Sequence, residues 1–313
     1  MKSAISTVTS TLYRFFKHGV PSYILSFGES LGDNLLLTAL AKALFERGYK
    51  NIWIKCDHHT LFELNPYVKL ILPYKAVLSG TLLKIFKVKT VCPRYTVYHP
   101  ETDMDDIPEK HILLKMADEL DITGAIDSKP VFMLSEKEKA LGRIAGDQVV
   151  IITSGAAALF PMKNKEWIIS RYQQVVDSFS GKYTFLQLGS TGDAPLERVI
   201  DMRGKTSLRI SAAILSQSVL MISHVGFMMH LARAVDCRSV ILYGGRERPD
   251  QSGYAGFENL YSAIACAPCW LHNNCGYGKL CMQLITTADV QKAAAKQLLL
   301  AGQPLPTEVL IND

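Results

Sequence analysis

The sequence predicts an α/β protein with two domains, each built on a parallel β-sheet. Residues 219–245 contain a short apolar strand, a loop at Gly226, a helix with apolar residues at helical spacing, and a second strand that ends in two glycines. Strand, helix and strand in so short a stretch form a βαβ unit, whose strands run parallel. Residues 23–56 have the same order, and 313 residues suit two domains of ordinary size.

Composition narrows the class of protein. Hydrophobic residues make up 48% of the chain and charged residues 20%, so it can bury a large core. The formal charge of +5 is too small and too dispersed to indicate a nucleic-acid partner. No apolar run approaches the roughly 18 residues of a membrane span, and residues 1–20 lack the apolar core of a signal peptide. We therefore expect a cytoplasmic protein whose seven cysteines are mostly reduced.

The N-terminal domain is expected to cover residues 1–146. Residues 1–20 form an amphipathic helix that packs on its own domain or lies on a membrane surface. A strand at 23–27, a glycine-containing loop, a helix that ends at Gly48 and a second strand follow. Residues 78–91 mix apolar side chains with Lys84, Lys87 and Lys89. This pattern fits either a solvated lysine face or a contact with an anionic or membrane-embedded acceptor.

The C-terminal domain, residues 147–313, repeats the alternation of strands and helices. Residues 194–202 are predicted as a helix, residues 289–301 as a closing helix, and the tail at 302–313 as irregular. Ligands of parallel sheets bind beyond the carboxyl ends of the strands. Gly226 and Gly244-Gly245 fall at such ends, where a helix N-terminus favours an anion. The alternative is a buried βαβ unit whose glycines serve only as turns.

Four segments, in this order, resemble one known family. They are GESLGDNLLLTALAKALFERG, LNPYVKLIL, the run from KNKEW through LQLGS and GKTSL to HVGFMMHLARAV and YGG, and CAPCW…CGYGKLCMQLIT. The chain resembles the family 9 glycosyltransferases, the bacterial heptosyltransferase family. The resemblance implies the GT-B fold, in which two Rossmann-like domains with parallel sheets face each other across a cleft. It also implies an acceptor in the N-terminal domain, a nucleotide-diphospho-sugar (typically ADP-heptose) in the C-terminal domain, and inverting transfer without a catalytic metal.

Two residues match the family's charged groups at the reaction centre. Asp33 matches the general base, and a carboxylate can accept the proton of an attacking hydroxyl. From the sequence alone, Asp33 could instead cap a helix that begins at Asn34. Lys165 matches the lysine at the donor diphosphate, where an ammonium stabilises the departing charge. Lys163 could take its place, and either lysine could simply be exposed at a helix start.

The remaining donor-binding residues follow from the same resemblance. They lie in loops after strands or at the start of a helix, and they are Ser154, Gly155, Gly189, Ser190, Thr206, His224, Gly226 and His230. The chain departs from the family at His224, where an acidic residue is usual, and the loop to His230 is one residue longer. A histidine favours phosphate or a ring hydroxyl, so the identity of the donor is open. His230 could instead pack against Tyr243, and Arg246 and Arg248 could bind phosphate or lie in a solvated loop.

A cysteine cluster near the C-terminus has the spacing C-x2-C-x5-C-x5-C. Its members are Cys266, Cys269, Cys275 and Cys281. Four thiolates can close a tetrahedral structural Zn or Fe site, and some autotransporter heptosyltransferases of the family carry cysteine-bound iron in a comparable segment. Disulfides or free thiols are the alternative.

The resemblance implies heptosyl transfer to a lipopolysaccharide core or related envelope glycan, at the cytoplasmic face of the inner membrane if the acceptor is lipid-linked. Two alternatives stay open, namely transfer to a protein acceptor and a non-catalytic GT-B-like protein that only binds nucleotides.

Overall fold

A computed structural model of the chain describes residues 2–154 and 161–313. Its α-helices are α1 Lys2–His18, α2 Leu31–Glu46, α3 Gly80–Ile85, α4 Ile112–Asp118, α5 Glu136–Leu141, α6 Ile169–Phe179, α7 Leu208–Ser216, α8 Phe227–Ala234, α9 Pro249–Ser252, α10 Leu280–Leu284 and α11 Thr287–Leu299. Its strands are β1 Tyr23–Ser26, β2 Ile52–Lys55, β3 Leu70–Leu72, β4 Lys89–Val91, β5 Tyr98–His99, β6 Met104–Asp105, β7 Gly124–Asp127, β8 Gln148–Ile151, β9 Thr184–Gln187, β10 Val199–Asp201, β11 Leu220–His224, β12 Ser239–Gly244, β13 Glu258–Tyr261 and β14 Val309–Asn312. Short 3-10 helices cover His59–Leu61 and Lys163–Lys165.

The chain divides into two compact units. The first comprises residues 1–95, 113–133 and 309–313, and the second comprises residues 96–112 and 134–308. The second unit therefore begins before the predicted boundary at 146/147, and residues 309–313 belong to the first unit. Residues 134–146 belong to it because α5 packs on α7, and the ion pair between Arg209 and Glu138 joins these two helices. The division into an acceptor and a donor domain stays a prediction.

The first unit is a parallel α/β sheet with the strand order β3-β2-β1-β4. Both neighbours of β1 pair with it in parallel, as the sequence predicted for β1 and β2. The strands are short and apolar, and Ile24, Leu25 and Trp53 are fully buried. Helix α1 closes one side through Phe15, whose ring meets Trp53 edge-on at 5.8 Å. The helix predicted for residues 1–20 is confirmed, and it packs on its own unit.

The second unit has a six-stranded sheet with the order β10-β9-β8-β11-β12-β13, and all of its pairings are parallel. Counted from its first strand, this is the 3-2-1-4-5-6 order of a Rossmann fold. The βαβ unit predicted from residues 219–245 is confirmed as β11, α8 and β12. Its strands are buried on both faces, which explains why they appear in the sequence as continuous apolar runs.

Two predicted elements are wrong. Residues 194–202 contain β10 instead of a helix, because Val199 and Ile200 add an edge strand parallel to β9. The C-terminal tail is not irregular, since β14 pairs antiparallel with β7. Both strands depend on partners that lie elsewhere in the chain, and their own residues give little periodic signal. None of the helices in the described part of the chain combines the length and the apolarity that crossing a bilayer requires.

Candidate functional site

In each parallel sheet, the first strands are added on one side of the starting strand and the next strand on its other side, so the strand order reverses at one point. In the first unit this point lies between β1 and β4, and in the second between β8 and β11. Open α/β sheets bind ligands in the crevice beyond the carboxyl ends of the strands at such points. The loop that leads to Asp33 follows β1, Ser154 follows β8, and His224 is the last residue of β11. The sequence-predicted residues therefore lie where the topology of each sheet favours a ligand.

Asp33 lies in the first turn of α2, which begins at Leu31. The helix is capped by Ser30, whose hydroxyl accepts the Asp33 backbone N–H at 3.4 Å. The alternative in which Asp33 caps a helix that begins at Asn34 is therefore wrong, because the N-cap is Ser30. The side chain is half-buried, and the N-terminus of a helix stabilises a negative charge there.

The loop before Asp33 is held by side chains from its own unit. The Asn34 amide donates to the carbonyls of Gly28 at 3.0 Å and Ser30 at 2.7 Å. A ring nitrogen of His58 lies 2.9 Å from the Glu29 carbonyl. Gly28 has φ +85°, which side-chain-bearing residues adopt rarely. This arrangement fixes the backbone that presents the Asp33 carboxylate.

In the second unit, Asp193 connects the loops that follow β8 and β9. Its Oδ1 accepts hydrogen bonds from the hydroxyls of Ser154 and Ser190, each at 3.1 Å. Its Oδ2 accepts the Ser190 backbone N–H at 2.9 Å. A Cβ at Gly189 would lie 2.1 Å from Oδ2, so only glycine fits there. The structure thus brings Ser154, Gly189 and Ser190 together around a buried aspartate that sequence reasoning missed, while Gly155 lies outside the described residues.

The GKTSL segment reaches the same edge of the sheet. Gly204 donates its N–H to the Gly189 carbonyl at 2.8 Å, which places this segment beside the loop after β9. The Thr206 hydroxyl is 2.9 Å from that of Ser211, and Ser207 caps α7. Thr206 therefore has a fixed position at the start of a helix next to the predicted donor loops.

Lys165 is not an exposed lysine. Its side chain is only 14% exposed, and its Nζ lies 2.7 Å from Oε1 of Glu247. Lys163 is exposed, so the two lysines of the KNKEW segment differ sharply in environment. A largely buried ammonium that is held in one position is suited to bind a diphosphate, because little reorganisation is needed when the anion arrives.

Glu247 is the centre of a buried charge network in the second unit. It accepts hydrogen bonds from Lys165, from Arg246 at 3.2 Å and from the Ser252 hydroxyl at 2.7 Å. Burial alone would raise the pKa of Glu247, but the charges of Lys165 and Arg246 and the hydrogen bonds lower it to about 2. The carboxylate is therefore charged at neutral pH and holds Lys165 in place. No periodic pattern or motif in the sequence predicts this role for Glu247.

Arg246 is structural in this fold. Its guanidinium is 2% exposed, lies 2.7 Å from Asp105, and is positioned 4.8 Å from the centroid of the Trp270 ring. Asp105 also accepts from a His272 ring nitrogen at 2.6 Å. Arg248 pairs with Asp250 at the surface. The internal partners of Arg246 argue against the phosphate contact considered from the sequence.

His224 and Gly226 occupy the end of β11 and the start of α8. Burial, followed by the nearby charge of Lys165, lowers the pKa of His224 to about 4 despite the opposing effect of Asp193. The imidazole is therefore neutral at pH 7. Its Nδ1 is buried and has no hydrogen-bond partner in residues 2–154 and 161–313. No atom of the described residues lies within 4 Å of a Cβ built at Gly226.

His230 points into the protein from α8. Its Nδ1 lies 2.6 Å from the Tyr254 hydroxyl, and the two rings pack edge to face. Burial lowers the pKa of His230 to about 3, so this ring is also neutral. The packing partner is Tyr254, and the alternative contact with Tyr243 is wrong. The Tyr254 contact anchors α8 to the segment that follows α9.

The four clustered cysteines line one cavity of about 60 Å³, together with Gly245 and Arg246. All four are free thiols and half-buried, so the disulfide alternative is wrong in this structure. Burial raises the pKa of Cys269 and Cys281, although backbone N–H groups point at both sulfurs. Within the described residues, no three His, Cys, Asp or Glu side chains are arranged to hold a metal ion. The donor chemistry fits a metal, but the sulfurs as placed do not form a ligand set.

No family model matches the sequence, and no curated protein matches it significantly. Solved structures do match its fold. A glycosyl transferase family 9 protein from Veillonella parvula DSM 2008 is 17% identical with a TM-score of 0.62, over 90% of this chain and 98% of its own. The E. coli ADP-heptose LPS heptosyltransferase II is 13% identical with a TM-score of 0.64, over 89% and 98%.

The iron-containing dodecameric glycosyltransferase TibC from enterotoxigenic E. coli H10407 is 16% identical with a TM-score of 0.65, over 88% of this chain and 76% of its own. Two Rossmann-like units and these neighbours define the class of protein: the chain has the GT-B fold. It shares this fold with family 9 glycosyltransferases, so the predicted resemblance is confirmed at the level of the fold.

Proposed function

We propose that the protein is an inverting glycosyltransferase that uses a nucleotide-diphospho-sugar. The observation that carries this proposal is the set of groups at the carboxyl ends of β8, β9 and β11. A buried ammonium on Lys165, a neutral imidazole on His224 and the glycine N-cap of α8 at Gly226 suit an anionic donor. The fold that the chain shares with heptosyltransferases supports the same proposal.

The first candidate donor is ADP-heptose. One solved structure of TibC, with a TM-score of 0.67 and 15% identity over 88% of this chain, is a complex with ADP-D-β-D-heptose. In our proposal, Lys165 binds the diphosphate and stabilises the charge that it gains on departure. His224 forms a hydrogen bond to phosphate or to a sugar hydroxyl through a neutral ring nitrogen, where an acidic residue would only accept.

In the proposed reaction, Asp33 accepts the proton of the acceptor hydroxyl. The hydroxyl oxygen then forms the new bond to the anomeric carbon while the bond from that carbon to the diphosphate oxygen breaks. The diphosphate leaves with the electron pair, and the anomeric centre is inverted. A general base of this kind typically contributes about 10²–10⁴-fold to the rate. The reaction as proposed needs no metal or other cofactor.

For the acceptor, we propose a hydroxyl of a lipopolysaccharide core or related envelope glycan, reached at the cytoplasmic face of the inner membrane. A second candidate is transfer to a protein. The resemblance keeps this candidate open, because some autotransporter heptosyltransferases of the family carry cysteine-bound iron in a segment comparable to the four-cysteine cavity. An acceptor panel with lipopolysaccharide core fragments and peptide pools separates the two.

We also propose that Cys266, Cys269, Cys275 and Cys281 bind a structural Zn or Fe ion after a change of side-chain rotamers. Support comes from four thiols that line one small cavity and from backbone N–H groups directed at Cys269 and Cys281. Anaerobically purified protein should contain about one metal ion per chain, as should the Cys92→Ser control, whereas Cys281→Ser should lose it. Metal-free wild-type protein would rule the site out.

The test of the transferase proposal is a panel of nucleotide sugars. The purified protein is incubated with ADP-, UDP- and GDP-sugars and candidate acceptors, and products are followed by mass spectrometry. Thermal shift with ADP, UDP and GDP is measured in parallel. We expect stabilisation by ADP and a mass increase of one heptose on an acceptor. Stabilisation by no nucleotide would contradict the donor site, and binding without transfer to any acceptor would favour a non-catalytic nucleotide-binding protein.

A further inference from the structure

Helix α1 has a second apolar face that the fold leaves exposed. One face packs inward through Thr11 and Phe15, which are buried. The opposite face carries large apolar side chains at helical spacing, and their exposures are 61% for Ile5, 44% for Leu12, 63% for Tyr13 and 92% for Phe16. Residues at i, i+7, i+8 and i+11 fall on one side of a helix. Packing within the unit explains why the first face is apolar, but it does not explain why the second face is apolar.

Helix α3 extends this surface. It packs against α1, with the rings of Phe15 and Phe86 5.4 Å apart and the Ser79 N–H donating to Thr11 at 2.9 Å. At its C-terminal end, Ile85 is 65% exposed and Phe86 45% exposed. The exposed apolar side chains of both helices therefore belong to one region of the first unit, which we term the α1–α3 surface.

The two sequence segments that contain these helices are basic. Residues 1–28 contain three Lys or Arg and residues 67–95 contain six, while neither segment contains any Asp or Glu. The rest of the chain is net negative, because the whole has a formal charge of only +5. Among the described residues, neither Lys84 nor Lys87 forms an ion pair. A concentration of positive charge beside exposed aromatic residues is typical of surfaces that bind anionic membranes.

A cavity of about 280 Å³ opens in the same region. It is lined by Val20, Pro21, Ser22, Tyr23, Tyr49, Phe86, Lys87 and Lys89. Lys89 pairs with Asp121 at 3.1 Å, whereas Lys87 brings a positive charge to the rim without an ion pair in the described residues. A site with a lysine, tyrosine rings and an apolar wall suits a phosphate-bearing headgroup.

We infer that the α1–α3 surface docks on an anionic lipid bilayer, with Phe16 inserting among the headgroups and Lys84 and Lys87 contacting phosphate. A second copy of the chain fits this surface poorly, because apposing two identical basic faces brings like charges together. The inference deepens the membrane contact proposed above. The test measures lipid binding alone. Absence of lipid binding would therefore leave the transferase proposal unaffected, and absence of transferase activity would leave the membrane inference unaffected.

The experiment is co-sedimentation with vesicles of phosphatidylcholine alone or mixed in equal parts with phosphatidylglycerol. The chains compared are the wild type, Phe16→Ser, the pair Lys84→Glu/Lys87→Glu, and the control Leu299→Ser. Leu299 is 84% exposed and lies in the second unit. We expect wild type and Leu299→Ser to bind the anionic vesicles, and both surface variants to bind about tenfold more weakly or not at all.

High salt should weaken wild-type binding, because the lysine contribution is screened. Circular dichroism should show unchanged folding of both variants, since the substituted side chains are exposed. Equal binding to both vesicle types, or no loss in either variant, would overturn the inference. So would a wild-type oligomer that dissociates on Phe16→Ser while no vesicle binding is seen, since the surface would then be a contact between copies.

Discussion

The candidate sites of the two units are built in different ways. In the first unit, a single carboxylate on Asp33 is presented by a loop that backbone and amide hydrogen bonds hold in place. In the second unit, Lys165 is held by a network of buried charges around Glu247. A base needs access to a proton and a fixed position, whereas a diphosphate site needs a cation that is held in one position and shielded from water. The loop that holds Asp33 therefore suits a general base, and the network that holds Lys165 suits a diphosphate site.

The largest effect should come from Asp33→Asn. Because the substitution replaces the carboxylate, which accepts the proton, by an amide, turnover should fall about 10²–10⁴-fold. Stability should change by less than about 1 kcal/mol, because Ser30 provides the cap. Steady-state turnover and thermal unfolding measure the two quantities. Glu29→Gln, which neutralises an exposed carboxylate in the same loop, is the matched control. Near-normal turnover in Asp33→Asn would remove this residue from the role.

The next effect should come from Lys165→Met. Loss of a charge-assisted contact to the diphosphate should weaken ADP binding by about 10–100-fold. Isothermal titration with ADP measures this change. Lys163→Met is the control, because Lys163 is exposed and close in sequence. The assignment of the two lysines is reversed if the control loses binding and Lys165→Met keeps it.

Glu247→Gln tests whether the network positions Lys165. We expect ADP binding about tenfold weaker and a loss of stability of about 3 kcal/mol, because two buried cations lose their carboxylate. The pKa of Glu247 is about 2 against an ordinary 4.5, so its stabilisation is present above pH 4.5 and is lost as the pH falls towards 2. Chemical denaturation across this range should therefore show the wild type and variant converging in acid.

Asp250→Asn is the control for that experiment, since Asp250 is an exposed carboxylate three residues further along the chain, in α9. It should change stability by no more than about 0.5 kcal/mol. A Glu247→Gln variant with wild-type ADP affinity would show that Lys165 needs no positioning by Glu247.

The smallest effect should be the acid response of His224. Its pKa is about 4 in the folded chain against an ordinary 6.5, so the neutral ring is favoured by folding. This contribution is complete above pH 6.5 and is lost as the pH falls through 4, so it does not alter stability at neutral pH. His224→Gln should flatten that part of the stability profile. Nitrogen-resolved NMR of the His224 ring should show it neutral at pH 6, and a protonated ring there would contradict this account.

Sequence patterns predicted what is local in this protein. The βαβ unit at residues 219–245 and the loop before Asp33 are encoded in consecutive residues, through apolar runs and glycines. The strands β10 and β14 were missed because each depends on a distant partner for its hydrogen bonds. Edge strands and terminal strands have weak periodic signals.

The buried network was missed for a related physical reason. Glu247 meets Lys165, and Asp193 meets Ser154, only after the sheet has formed. In the sequence, Glu247 stands between two arginines in a polar loop, which is typical of a solvated segment. The residue types of the site could therefore be predicted by resemblance, but the groups that hold them in place required the fold.

The most direct test of the account measures ADP affinity and sugar transfer on the same three chains: wild type, Asp33→Asn and Lys165→Met. We predict that Asp33→Asn binds ADP as the wild type does while transferring sugar about 10²–10⁴-fold more slowly, and that Lys165→Met loses affinity for ADP. If Asp33→Asn lost ADP binding as severely as Lys165→Met, or if wild-type protein bound no ADP, the division of labour between the two units would be contradicted.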